Sequence, residues 1–273
     1  MHNFLKKNAI YYGKFFVDAL TNHIIQFYTF MNNNDKLNLG HTNLKLKKSW
    51  HNYLNNFYLG KRNNTIIFDY KCTSIYMAKA LHVFTSVFKA KGNILIINTN
   101  PELSKLVYIL RKSINASAQN IVFSDCGWTK GTLTNWDKVF NKVQTFVNFY
   151  YDYNTFLNAN NIYFPSYKKM KKNYKGFILT NKHSHTKENT ISLNIKIINA
   201  NWKPDLLLFM SNNNAESIFK EAALLNIPTI AFIDSNSNST DITYPIPGNA
   251  GSYPLIWFFF TLITKVICKI RIH

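Results

Sequence analysis

Four short runs constrain this chain most. NILIINTN (93–100), NIVFS (120–124), DLLLFM (205–210) and PTIAFID (228–234) are continuously apolar rather than alternating. A strand with one wet face alternates polar and apolar residues. A strand that is apolar throughout is covered on both faces, as in parallel sheets. Segments of helical character stand between these runs. Residues 74–90 place Ile75, Ala78, Leu81 and Phe84 at helical spacing. Pro101 opens ELSKLVYILRKS, where its missing N–H costs nothing. GTLTNWDKVFNKVQTF (131–146) starts a helix, with Thr134 as N-cap and Asp137 three residues on. Residues 214–226 and a segment from about 252 complete the set. Strands alternating with helices predict an α/β fold, a parallel sheet flanked by helices.

The remaining segments are less regular. Residues 9–31 read as a largely apolar helix and TIIFDY (65–70) as a short β-branched run. Residues 40–64 read as an extended basic loop. Residues 141–200 are rich in Asn, Tyr and Lys and break the rhythm, so they read as an insertion. The final run Leu255–Thr264 is ten residues long before Lys265. A membrane span needs roughly 20 apolar residues, so a buried C-terminal helix is expected and no membrane partner.

Charge narrows the function. Of 273 residues, 32 are Lys or Arg and 13 Asp or Glu, a net charge of +19. Arg62, Arg111 and Arg271 are the only arginines. Solubility needs far less charge, so a polyanionic partner is indicated. The wealth of Phe, Tyr, Ile, Asn and Lys matches A/T-rich codons and points to a compositionally biased genome. Cys72, Cys126 and Cys268 are widely spaced and form no C-x-x-C, which suggests neither a zinc site nor a disulfide framework. The N-terminus has no clean signal peptide or import presequence.

Catalytic chemistry finds little support. The loop after 93–98 has no G-x-G-x-x-G and no G-x-x-x-x-G-K to close backbone amides on phosphate. Asp234 ends a strand, where it is expected to accept hydrogen bonds from Ser235–Asn236. Glu221 is expected to pair with a lysine on its own helix. His183 and His185 lack a third metal ligand, so no metal and no cofactor are expected. Basic residues interleaved with aromatics are the positive signal. His41, Lys45, Lys47, Lys48, Trp50, Lys61 and Arg62 crowd one region; Trp128, Lys130, Asn135 and Trp136 crowd another. Lysine neutralises phosphate, and rings and amides stack on or bond to unpaired bases. For Trp50 and Trp136 core packing is an equal alternative. DITYPIPGNAG (241–251) reads as a rigid corner, with Pro245 and Pro247 fixing two backbone angles. Asn249 would then stand at the N-terminus of the last helix, where N–H groups favour an anion.

One family carries these motifs in order. KPDLLLFM, then IFKEAALLNIPTIAFIDSNSNSTDITYPIPGN, resembles the small-subunit ribosomal protein S-two family of bacteria and organelles. GWTKGTLTNW (127–136), LGHTN (39–43), LGKRNNTIIFDYKCT (59–73) and GNILIINTN (92–100) resemble its other hallmarks. The resemblance runs from about 39 to 270. It departs at Gly127 and Lys130, at Asn98–Thr99–Asn100 where a base is lost, and at Ala250–Gly251.

The resemblance implies a flavodoxin-like (Rossmann-like) sheet and a non-enzymatic structural protein of the small ribosomal subunit. It implies contacts with small-subunit rRNA and neighbouring ribosomal proteins at the head–body junction, close to mRNA at its exit, as a monomer within the ribosome. The expected division is a helical extension (1–38), an α/β core (39–140 and 201–273), and an insertion (141–200) in place of the family's helical hairpin. A mitochondrion-encoded member working in the matrix is the leading expectation, with a plastid-type organelle as an alternative. The competing reading is a small-molecule or nucleotide-binding enzyme on the same fold.

Overall fold

The sheet splits its own side chains between two cores. In the strand Ile94–Asn98, Ile94 and Ile96 face one layer and Leu95 and Ile97 the other. Leu206 and Leu208 oppose Leu207 and Phe209 in the same way, as do Ile230 and Phe232 against Ala231 and Ile233. That is the period-2 geometry of a strand applied to runs apolar at every position. The computed structural model describes residues 39–40, 57–115, 120–125, 128–139, 202–212, 214–234 and 240–272, with isolated positions between 141 and 169. The helix expected over 9–31, the 41–56 part of the basic loop, and His183 and His185 lie outside the described residues.

In chain order the elements are β1 (Tyr58–Arg62), β2 (Thr65–Phe68), α1 (Tyr70–Lys89), β3 (Ile94–Asn98), α2 (Ser104–Asn115), β4 (Ile121–Asp125), β5 (Leu206–Phe209), α3 (Glu216–Leu224), β6 (Thr229–Ile233), β7 (Tyr244–Pro247) and α4 (Tyr253–Ile272). The main sheet has the order β4-β3-β5-β6-β7, parallel at every pairing. The order reverses beside β3, the mark of a doubly wound sheet. Local signals place the helices. Asp69 caps α1 by accepting from the Lys71 amide at 2.9 Å. Asn100 accepts from the Glu102 amide at 3.0 Å, and Pro101 follows at the first turn.

One layer holds α1, α2 and α4, with α4 touching both of the others. Phe84, Leu106, Leu110, Phe259, Phe260 and Ile263 are buried there. Each such side chain contributes about 1.5–3 kcal/mol through burial. The segment Tyr253–Ile270 is long and apolar enough to cross a membrane by length and composition. Its apolar side fills this core, as expected of the final run. The other layer holds α3 and the helical residues 136–139, 141–143 and 145–146. Val143, Phe146 and the half-buried Tyr167 pack there, so part of the expected insertion belongs to the second core.

Two segments depart from expectation. Residues 58–62, read as loop, form a strand of an antiparallel hairpin with β2. Asn63 and Asn64 take φ of 48° and 61°, the double left-handed pair of a type I′ turn. Asparagine tolerates that conformation, which the loop reading overlooked. Residues 244–247, read as a corner, form the fifth strand instead.

The prolines of β7 fit its edge position. The Gly248 amide donates to the Ile233 carbonyl on β6 at 3.1 Å. In a parallel strand alternate residues address the same neighbour. Tyr244, Ile246 and Gly248 therefore face β6, while Pro245 and Pro247 face outward, where no ladder donor is needed. The outward carbonyl of Pro247 accepts the Thr73 hydroxyl of α1 at 2.7 Å.

Candidate nucleic-acid interface

The hairpin β1–β2 is anchored at its base and basic at its tip. Phe57, Ile66 and Phe68 form a small core against Cys72 and Tyr76 of α1. The rings of Phe57 and Tyr76 meet edge to face at 4.9 Å. Gly40 donates to the Ile66 carbonyl at 2.7 Å, which ties residues 39–40 to β2. Lys61 and Arg62 are exposed at the end of β1, next to the turn. His41, Lys45, Lys47, Lys48 and Trp50 lie outside the described residues.

The second region is a turn held by a carboxylate. Glu221 of α3 is only 8% exposed. It accepts from the Gly131 amide at 2.7 Å and from the Leu133 amide at 3.0 Å. This corrects the expected lysine pairing. Glu221 falls on the face of α3 that also buries Ile218, Phe219 and Ala222, so its charge needs buried donors, and the turn supplies them. Gly131 sits at φ 83°, a conformation that favours glycine. Asn135 donates its amide to the Gly131 carbonyl at 2.9 Å, and the helix begins at Trp136, two residues beyond the expected cap Thr134. The Thr134 hydroxyl instead donates to Gly131 at 3.3 Å.

That turn sorts the candidates by direction. Lys130 and Asn135 are exposed, and Trp128 is half-buried against the second core. Trp136 is 4% exposed, and its ring lies 5.5 Å from that of Trp202. Trp136 is therefore a core residue, and the RNA-contact reading of it is corrected. Its spacing from Leu133, one helical turn, was the signal for burial.

The carboxyl ends of β3, β4 and β5 form the crevice where doubly wound folds place ligands. Here the polar groups serve one another. Asn98 donates to Asp125 at 2.7 Å and to the Asn100 carbonyl at 2.8 Å. Ser104 donates to Asp125 at 3.1 Å. Arg111 is buried beneath, and desolvation pushes its guanidinium down to about 9 while Asp125 pulls it upward. Asn98 and Asn100 thus serve the local structure. Asp234 is buried at the end of β6; its expected donors at 235–236 lie outside the described residues.

Asn249 does not stand at the end of the last helix. Its side-chain oxygen accepts from the Gly251 amide at 2.9 Å, and its carbonyl from Ser252 at 3.1 Å. The helix starts only at Tyr253, so Asn249 closes a turn before it. Among the described residues, no three His, Cys, Asp or Glu side chains are grouped to hold an ion. The hairpin, packed on α1, and the 128–135 turn, packed on the second core, thus lie on opposite layers.

Comparison with known proteins decides among the readings. The model of the family described as ribosomal protein S2 matches residues 35–269. The chain belongs to the ribosomal protein S2 family. A relative from Marchantia polymorpha, small ribosomal subunit protein uS2m, is 30% identical over 214 residues, spanning 76% of this chain and 79% of its own. The uS2 proteins of Rickettsia canadensis and Rickettsia felis are 26% and 27% identical, each over 78% of this chain and 66% of their own. Members of the S2 family are structural rather than enzymes, and the reading as a crevice enzyme has no support. The five-stranded parallel sheet agrees with the flavodoxin-like S2 fold.

Proposed function

We propose that this chain is a structural constituent of the small subunit of a mitochondrial ribosome, where it binds rRNA and neighbouring subunit proteins. The S2 match across residues 35–269 carries the reading. The uS2m relative supports the organelle, and the mitochondrial matrix is the compartment we assign. Lys61, Arg62, Lys130 and Asn135 are the exposed residues we assign to rRNA, because they stand on two supported turns and combine charge with hydrogen-bonding capacity. Trp128 supports the second turn from within. The position at the head–body junction, near exiting mRNA, and the monomeric state within the subunit follow from the family resemblance. Residues 1–38 and the part of 141–200 outside the second core are assigned to neighbouring proteins; 39–140 and 201–273, joined by Val143, Phe146 and Tyr167, are assigned to the core.

The test is sedimentation of organelle lysate through a high-salt sucrose gradient, with mass spectrometry for this chain. Comigration with the mitochondrial small subunit is expected. A chain that stays at the top of the gradient, or sediments with plastid subunits, overturns the proposal.

A further inference from the structure

The tip of the β1–β2 hairpin closes its backbone and leaves its side chains over. Arg62 pairs with Thr65 in register, and the Thr65 hydroxyl donates to the Arg62 carbonyl. Asn63 and Asn64 give the turn its left-handed backbone, at φ 48° and 61°. Glycine meets that requirement with less strain, so the turn itself has no use for the two amides. Lys61, Arg62, Asn63 and Asn64 are all exposed, and among the described residues none of their side chains has a partner within the chain. Residues 57–68 contain no Asp or Glu. Asp69, at the base, is occupied by the Lys71 amide at 2.9 Å and the Cys72 thiol at 3.6 Å.

The register gives this tip a shape. Lys61 lies opposite Ile66 and Arg62 opposite Thr65, so the two cations stand on opposite faces of the ribbon. The two amides stand at its end. The base is held firmly: Asp69 donates its backbone amide to the Phe57 carbonyl at 2.8 Å, and Phe57 rests edge to face on Tyr76 of α1. The five residues of β1 reach roughly 17 Å at about 3.3 Å each. A ribbon held in this way has little conformational freedom left to lose on binding.

We propose that the hairpin tip is a base-reading contact. Asn63 and Asn64 bond the base edges of a non-helical rRNA segment, a loop or bulge, while Lys61 and Arg62 meet backbone phosphates on either side. The inference rests on the ribosomal reading and deepens it from charge neutralisation to recognition. A side-chain amide carries an acceptor beside its donors, the pattern of a base edge; phosphate offers acceptors alone. Bases within a regular RNA helix are hidden in a deep, narrow groove, whereas those of loops and bulges are open to side chains. Cations on both faces of the ribbon fit a strand that passes it on both sides. The phosphate contacts fix the register of the ribbon, and the amides supply the discrimination.

The test compares two double variants of the full chain. Asn63→Gly with Asn64→Gly keeps the backbone of the turn and removes both amides. Lys61→Gln with Arg62→Gln removes both charges. Binding to small subunits depleted of this chain is measured against salt concentration, with RNA of unrelated sequence as competitor. The glycine variant is expected to unfold in urea with the wild type, to bind about tenfold more weakly or worse, and to keep the wild-type slope of log K against log salt. Its preference for the subunit over unrelated RNA should fall with its affinity. The glutamine variant is expected to lose about 1.5 from the slope, at about 0.7–0.9 per phosphate contact, with its preference retained. Wild-type affinity in the glycine variant, or a fall in its slope like that of the glutamine variant, overturns base reading while leaving ribosomal membership intact. Failure of the wild type to rebind depleted subunits defeats the parent reading instead. Ultraviolet crosslinking of intact wild-type subunits is the check that needs no variant. A peptide containing residues 62–64 is expected to join nucleotides outside the rRNA helices; crosslinks of this peptide to protein alone, or to helical RNA alone, refute the proposal.

Discussion

Replacing Glu221 should cost the fold more than any single exposed lysine. Its carboxylate is buried and accepts two backbone amides, at 2.7 and 3.0 Å. A hydrogen bond to a charged group contributes about 1.5–3 kcal/mol, and an amide left without an acceptor inside the protein adds a desolvation penalty. Glu221→Ala removes both bonds and is expected to lose about 3–5 kcal/mol. Glu221→Gln keeps one acceptor and turns an N–H toward a donor, for a loss of about 2 kcal/mol. Total stabilities run at about 5–15 kcal/mol, so either change is large. The assay is urea denaturation of the full chain, with the shift in midpoint read at constant slope. Hydrogen exchange should locate the damage, speeding the amides of 130–135 before those of β3. Lys220→Gln serves as the discriminating control, with an expected loss under about 0.5 kcal/mol. A loss under about 1 kcal/mol for Glu221→Ala, or a cost for Lys220→Gln equal to it, would refute the account of the turn and revive pairing along the helix.

Four further outcomes follow from other sites. Gly131→Ala forces an L side chain to φ 83°, and should cost about 1–2 kcal/mol in the same urea assay. Asp125→Asn should destabilise by about 3 kcal/mol, and adding Arg111→Met to it should recover most of that loss, because the first change strands a buried charge and the second removes it. The folded-state value of Arg111, about 9, lies well below its ordinary value, so its contribution improves as pH rises above about 9. Denaturation at pH 8 and pH 10 should show the advantage of the double variant over Asp125→Asn shrinking at the higher pH. Thr73→Val should lose about 1–2 kcal/mol by stranding the Pro247 carbonyl. Burial and Asp69 hold the Cys72 thiol above its ordinary value, so maleimide labelling near neutral pH should lag well behind the exposed Cys268, as mass spectrometry of peptides will show.

The sheet was legible because its signal is local and redundant. Runs such as ILII and LLLF are apolar at every position, and each helix between them has its own period. The segment YPIP was not, since two prolines in four residues argue against a strand unless its outward side is known, and that is a tertiary fact. The Asn63–Asn64 turn was missed for a smaller reason: asparagine is so common here that a pair of them carries little weight. The interface was legible as a composition, not as a place. Charge and aromatics marked the 127–136 segment, but the inward turn of Trp136 depends on Trp202, far away in the chain. Glu221 shows the same limit. An acid inside IFKEAALL stands on an apolar face, yet the partners that make it tolerable lie on a turn about ninety residues earlier.

The outward prolines of β7 also bear on the life of the chain before incorporation. Cross-β growth needs a strand whose free side offers both donors and acceptors. On this side residues 245 and 247 have no N–H, and the carbonyl of 247 is already taken by Thr73. A surplus copy, made faster than its RNA, therefore cannot recruit another through that strand. Its lysines keep such copies apart at long range, and its prolines deny them a ladder at short range.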